Sequence, residues 1–87
     1  MHTANKTTET FRPATTLTEF LRAAQVIIYN EADTDQVRKR GKGSDIKQEA
    51  IRQVLKANTT YTDAEAERRV EQRLIYLCGK RLIFIRT

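Results

Sequence analysis

The 87-residue sequence has one cysteine (Cys78), one histidine (His2), one serine (Ser44), one proline (Pro13), three glycines and no tryptophan. A lone cysteine makes no internal disulfide, so no cross-linked secreted scaffold is expected. Single copies of His, Ser and Cys, far apart in the chain, supply neither a Ser–His nucleophilic pair nor a Cys/His metal cage. The expectation is therefore a chain that is no enzyme, with no metal and no cofactor. Hydrophobic runs are short as well. The longest, 26–29 and 82–85, fall far below the roughly 20 residues that a membrane helix needs. Residues 1–16 are polar, with five threonines between Thr3 and Thr15 and no apolar secretory core. Glu9 and the lack of an arginine-rich amphipathic pattern argue against an organelle transit peptide, so a reducing, cytoplasmic setting is expected.

What the sequence has is charge. Sixteen Lys and Arg stand against eleven Asp and Glu, a formal net charge of +5, and the sequence pI is about 9.7. The excess is unevenly spread. Residues 17–37 carry net −3 and residues 58–72 net −2, while two blocks carry +4 each: Arg38, Lys39, Arg40 and Lys42, and then Arg73, Lys80, Arg81 and Arg86. Patterned positive charge points to a polyanionic or acidic partner. The length fits one domain with a small core.

Three helices are predicted. Thr16 followed by Glu19 is a capping box, and Leu17, Phe20, Leu21, Ala24, Ile27 and Ile28 continue a helical stripe to about Asn30. The β-branched run from Val26 to Tyr29 also reads as a strand, but the unbroken stripe favours helix. A polar connection from Glu31 to Gly43 follows. The second helix starts at Ser44 or Asp45 and presents Ile46, Ala50, Ile51, Val54 and Leu55. After a turn at 58–61, Thr62 with Glu65 forms a second capping box and opens a third helix to about Cys78, closed by Gly79. Lys80 to Arg86 reads as a strand whose partner is the 26–30 segment, the 34–38 segment or a second copy of the chain. The fold class expected is mainly α: a three-helix bundle with a helix-turn-helix-like unit and a C-terminal strand. In outline it partly resembles a winged helix. Residues 1–15 are expected as a disordered arm and 16–87 as a single small helical domain.

At about 100° per residue, Ala66, Val70, Leu74, Leu77 and Cys78 fall on one arc of the third helix, the core side. Glu65, Arg69, Gln72, Arg73 and Tyr76 fall on the opposite arc. Arg and Gln suit guanine and adenine edges, and Tyr can stack or bond a phosphate, so Arg69, Gln72, Arg73 and Tyr76 are candidate base-contacting residues of a recognition helix. A solvated helix face has the same composition, and Glu67 and Glu71 on this helix would repel phosphate. Arg38, Lys39, Arg40, Lys42, Lys80 and Arg81 are candidate phosphate contacts. The N–H groups at Gly43, Ser44 and Asp45 stand ready at a helix start to assist them. The string Gly41-Lys42-Gly43-Ser44 lacks the first glycine and the preceding buried strand of a nucleotide-binding loop. Cys78 reads as a buried hydrophobe, and Asp33 and Asp35 as solvated loop residues.

The function expected is a small basic nucleic-acid-binding protein, a regulator on duplex DNA, dimerising through its C-terminal strand. The alternative is a non-enzymatic adaptor or inhibitor that binds a larger protein through the basic loop and that strand.

Overall fold

The structure is a computed structural model that describes residues 10–87. The elements run β1 (Phe11–Pro13), α1 (Leu17–Arg22), β2 (Val26–Tyr29), β3 (Val37–Gly41), α2 (Gly43–Ala57), α3 (Asp63–Gly79) and β4 (Ile83–Arg86). The four strands form one antiparallel sheet in the order β1-β4-β2-β3. The architecture is therefore mixed α/β, a sheet with three helices on one face. It is not the mainly helical, winged-helix-like bundle that the sequence led us to expect.

The correction begins at residue 23. The α1 stripe stops at Arg22, where Ala23 turns extended (φ −71, ψ 131), and Val26–Tyr29 becomes β2. Ala24, Ile27 and Ile28 satisfy a helical period, but their segment is β-branched and has a mate. Leu82 to Ile85 must pair its backbone, and the two apolar runs do this together: Val26 faces Ile85, Ile27 faces Phe84 and Ile28 faces Ile83. Tertiary pairing outweighs the local period. Of the segment 1–15 expected as an arm, residues 1–9 lie outside the described residues; His2 and Lys6 are among them. Phe11–Pro13 forms the short edge strand β1 against β4, and Ala14 is buried.

Side chains of the central strands β2 and β4 alternate between the two faces. Val26, Ile28, Ile83 and Ile85 point to the helices and share a core with Phe20 of α1, Ile46 of α2, and Val70, Leu74 and Leu77 of α3. Ile27 and Phe84 point the other way, where Phe84 meets Tyr29 edge-on at 5.6 Å. Cys78 packs in the helix-side core, and burial pushes its thiol pKa up, with the charge of Glu19 adding a smaller push. That agrees with a cysteine used as a small hydrophobe. Among the described residues no helix is long and apolar enough to cross a membrane.

Both threonine caps form. Thr16 Oγ1 accepts from Glu19 N and Thr62 Oγ1 from Glu65 N, each at 3.1 Å. Glu19 does more than close its helix. Its carboxylate accepts from Arg12 Nη2 at 2.8 Å and from the Thr15 amide and hydroxyl, each at 2.9 Å, so it ties α1 to β1. The Arg12 hydrogen bond, followed by those from Thr15, lowers the Glu19 pKa from the ordinary 4.5 to about 2. A carboxylate held down in the folded state stabilises the fold above its unfolded pKa and loses that effect as pH falls through the folded one. Glu19→Gln should therefore flatten the acid limb. Its urea midpoint should change less than that of the unmodified protein between pH 4.5 and 2. Equal acid sensitivity in the two proteins would show that this carboxylate contributes nothing.

Candidate functional site

Four of the expected cations meet at one cleft, and the local structure explains how. In the β2–β3 pair Ile28 faces Lys39 but Tyr29 faces Val37, so Arg38 is the extra residue of a β-bulge. A bulge interrupts the strict alternation and re-aims side chains. Arg38 and Lys39 both turn to the helix side of the sheet, where both line the cleft. Its floor is Ile28; Ile46, Ala50 and Val54 of α2 form one wall, and Val70, Leu74 and Leu77 of α3 the other. The cleft is half open to solvent and has a volume of about 270 Å³. Arg69 and Arg73, one turn apart on α3, complete the rim opposite Arg38 and Lys39.

Aromatic rings support the α3 side of this rim. The Arg69 guanidinium lies 4.7 Å from the centre of the Tyr61 ring, and that of Arg73 lies 5.0 Å from the Tyr76 ring. Lys80 Nζ sits 5.8 Å from the same Tyr76 ring. Stacking costs each guanidinium rotamer freedom and leaves the N–H edge of Arg69 available. Arg73 also pairs with Glu31, whose pKa is lowered by the Arg73 hydrogen bond first and by one from Tyr76 second. Among the described residues Arg38 and Lys39 make no ion pair, so the rim carries net positive charge.

The two α3 carboxylates that would oppose an anion are held elsewhere. Glu67 and Glu71 lie on the other flank of the buried α3 stripe, where Lys47 Nζ donates to both at 2.8 and 2.7 Å. Lys47 is almost fully buried, and these two bonds, Glu67 before Glu71, raise its pKa against the opposing effect of burial. The acidic flank is thereby turned into an internal tie between α2 and α3.

The other expected contacts scatter. Arg40 faces Ile27 in register and points to the sheet's outer face. With Lys39 and Lys42 it borders a second depression that also contains Asp45 and Glu49 and shares Lys39 and Ile46 with the cleft. Lys80 and Arg81 sit at the sheet end beside Tyr29 and Phe84. Gln72 and Tyr76 are exposed on α3 outside the cleft lining. Asp33 lies in the β2–β3 connection, where its side chain caps a turn by accepting from Asp35 N at 3.1 Å. At the helix start beside the basic block, one of the three expected amides is already used. Gly43 N–H donates to Ala23 O at 3.2 Å, and the residue is buried against α1. The C-terminal strand cannot recruit a second copy or a partner by strand addition. Both edges of β4 are filled within the chain, by β1 and β2. The long edge strand is β3, whose bulge and three consecutive cations guard it against pairing. Among the described residues no cluster of His, Cys, Asp or Glu could hold a metal ion.

No family model, curated protein or solved structure matches the chain. The site must be read from its own chemistry.

Sequence reasoning missed the apolar interior of the cleft, Gln53 beside it, Tyr61 beneath Arg69 and Glu31 beside Arg73. One signal for β3 was legible. The polar stretch before it carries Asn and Asp suited to turns, and Asn30 Oδ1 indeed accepts from Ala32 N at 3.0 Å. Turn chemistry after an apolar run announces a hairpin.

Proposed function

We propose that this chain is a small, non-enzymatic nucleic-acid-binding protein of the cytoplasm, with phosphates held at the rim of the cationic cleft. The observation that carries this reading is the convergence of Arg38 and Lys39 with Arg69 and Arg73, from opposite halves of the sequence, on one mouth. Arg69, braced on Tyr61, favours bidentate phosphate contact because less rotamer entropy is lost on binding, whereas Arg73 must exchange Glu31 for the phosphate. Removal of Glu67 and Glu71 to the far flank, tied to Lys47, lets a polyanion approach. In this reading α3 contributes phosphate contacts from Arg69 and Arg73. Gln72 and Tyr76 lie beside the path as the residues positioned to meet bases.

Fluorescence anisotropy with labelled duplex and single-stranded oligonucleotides tests the proposal. Four phosphate contacts give a slope of log affinity against log salt of about −3.6 on duplex DNA, or about −2.8 on a single strand. Arg38→Ala and Arg69→Ala should each reduce the slope by about one contact, whereas Arg40→Ala and Lys42→Ala should leave it alone. No binding to any oligonucleotide at about 50 mM salt would sink the proposal. A loss with Arg40→Ala equal to that with Arg38→Ala would place the contact surface elsewhere.

A further inference from the structure

Phosphate binding accounts for the rim of the cleft but leaves its interior unexplained. Ile28, Ile46, Val54, Val70, Leu74 and Leu77, with Ala50 among them, line a half-open cleft of about 270 Å³. No aromatic ring lines it, and Gln53 is the one uncharged polar residue that does. A nucleobase would lose its water there without gaining a stacking partner or a matched set of hydrogen bonds. An aliphatic chain has no polar group to strand there and gains by leaving water. A cavity of about 150 Å³ holds a six-carbon ring, so this one accommodates roughly ten carbons. An aliphatic interior under a cationic mouth is complementary to a molecule with an apolar tail and an anionic head.

We infer that the cleft is a binding site for a medium-chain alkyl carboxylate, with the tail between α2 and α3 and the carboxylate on Arg38 and Lys39. These two cations are the natural head-group ligands, because neither is ion-paired among the described residues, whereas Arg73 is held by Glu31. Arg69, braced on Tyr61, closes the opposite side of the mouth. The acyl site stands on its own lining. A second consequence rests on the nucleic-acid reading: head group and phosphate need the same cations, so an occupied cleft binds nucleic acid more weakly. The chain then acts as an acyl-responsive nucleic-acid binder in which the two ligands exclude each other.

The test is isothermal titration of the full chain with decanoate, octanoate and hexanoate below their micelle concentrations. One site per chain is expected, with affinity falling about 15-fold for every two carbons removed. Ala50→Phe, which fills the cavity, should abolish uptake, and thermal unfolding of the variant establishes that it is folded. Arg38→Gln should weaken decanoate while leaving the dependence on chain length intact. Affinity independent of chain length, or equal uptake by the folded Ala50→Phe variant, would overturn the inference. So would a Glu/Leu amphipathic peptide that outcompetes decanoate at this site, which would assign the cleft to a protein partner. Displacement of a labelled oligonucleotide separates the two readings. Decanoate uptake without oligonucleotide binding keeps the acyl site and removes the nucleic-acid function. Oligonucleotide binding with no decanoate uptake does the reverse.

Discussion

Gly43→Ala is expected to remove the cooperative unfolding transition or to lower its midpoint by at least about 12 °C, the shift that about 3 kcal/mol produces in a domain this small. The reason is a backbone collision. A Cβ at residue 43 would lie 1.8 Å from the Phe20 carbonyl oxygen and 2.8 Å from its carbon, and 3.4 Å from Leu21 Cα. None of these atoms belongs to a side chain that can swing away. Relief requires α2 to move off the end of α1, which strains the Gly43 N–H bond to Ala23 O and unseats Phe20, a fully buried side chain. Disrupting the packing of a buried phenylalanine costs about 3–5 kcal/mol, against total stabilities of about 5–15 kcal/mol for whole domains. Gly79→Ala supplies the control. Nothing lies within 4 Å of a Cβ there, and the residue ends α3 in helical conformation. That change should be neutral or stabilising by up to about 1 kcal/mol. Thermal melts should show a large drop for Gly43→Ala and no drop for Gly79→Ala. A Gly43→Ala protein that melts like the parent would mean that the α1–α2 contact is looser than described.

The second large effect is expected at Lys47, and it lies in the partners more than in the lysine. Lys47 has a side chain only 9% exposed, while Glu67 and Glu71 are 49% and 35% exposed. Replacing both carboxylates, as Glu67→Gln with Glu71→Gln, strands a buried ammonium with neutral amides and should cost about 3 kcal/mol. Either single change leaves one carboxylate in place and should cost about 1 kcal/mol, so the pair should be strongly non-additive. Lys47→Met removes the buried charge itself. Its carboxylate partners are open enough to rehydrate, and the loss should stay within about 1 kcal/mol. The ordering double glutamine, then single glutamine, then methionine is what urea midpoints at neutral pH should return. If Lys47→Met proves the most damaging, the ion pairs outweigh the desolvation they offset. The pH dependence has a definite sign. A lysine whose folded pKa is raised above 10.5 stabilises fully below that value, and the effect fades as pH climbs through the folded pKa. The double variant should accordingly lose less stability than the parent above pH 10.5.

The legible parts of the fold were those governed by local chemistry. Thr16 and Thr62 announce their helices because the cap bond is made within four residues. The core stripe of α3 is legible because 100° per residue sorts Val70, Leu74 and Leu77 from Arg69 and Arg73 whatever they pack against. The strand within Lys80 to Arg86 was legible from its β-forming residues, and the 26–30 segment stood among its candidate partners. The rest of the sheet was not, since β1 and β2 are defined by pairing with β4 far away in sequence. Val26 to Tyr29 fits helix or strand until Ile83 to Ile85 lies beside it, and three-residue β1 has no pattern of its own. The site was partly legible for the same reason. The two cationic blocks are visible as composition, but strand alternation and the bulge at Arg38 decide which side each charge takes. Arg38 and Lys39 go to the cleft and Arg40 to the far face. No local rule splits a run of three adjacent cations in that way.

The position of β4 has a consequence for how the molecule is made. It is the last strand in chain order, yet it lies inside the sheet and bridges β1 to β2. Until residues 83–86 have been synthesised, β1 has nothing to pair with and β2–β3 is a lone hairpin, which is marginal in water. The helices cannot settle either, because half of the surface they cover is missing. Folding must therefore follow synthesis of the whole domain instead of accompanying it. The apolar residues of β2 and α1 wait exposed in the meantime, a window in which a nascent chain is most open to aggregation or to capture by chaperones.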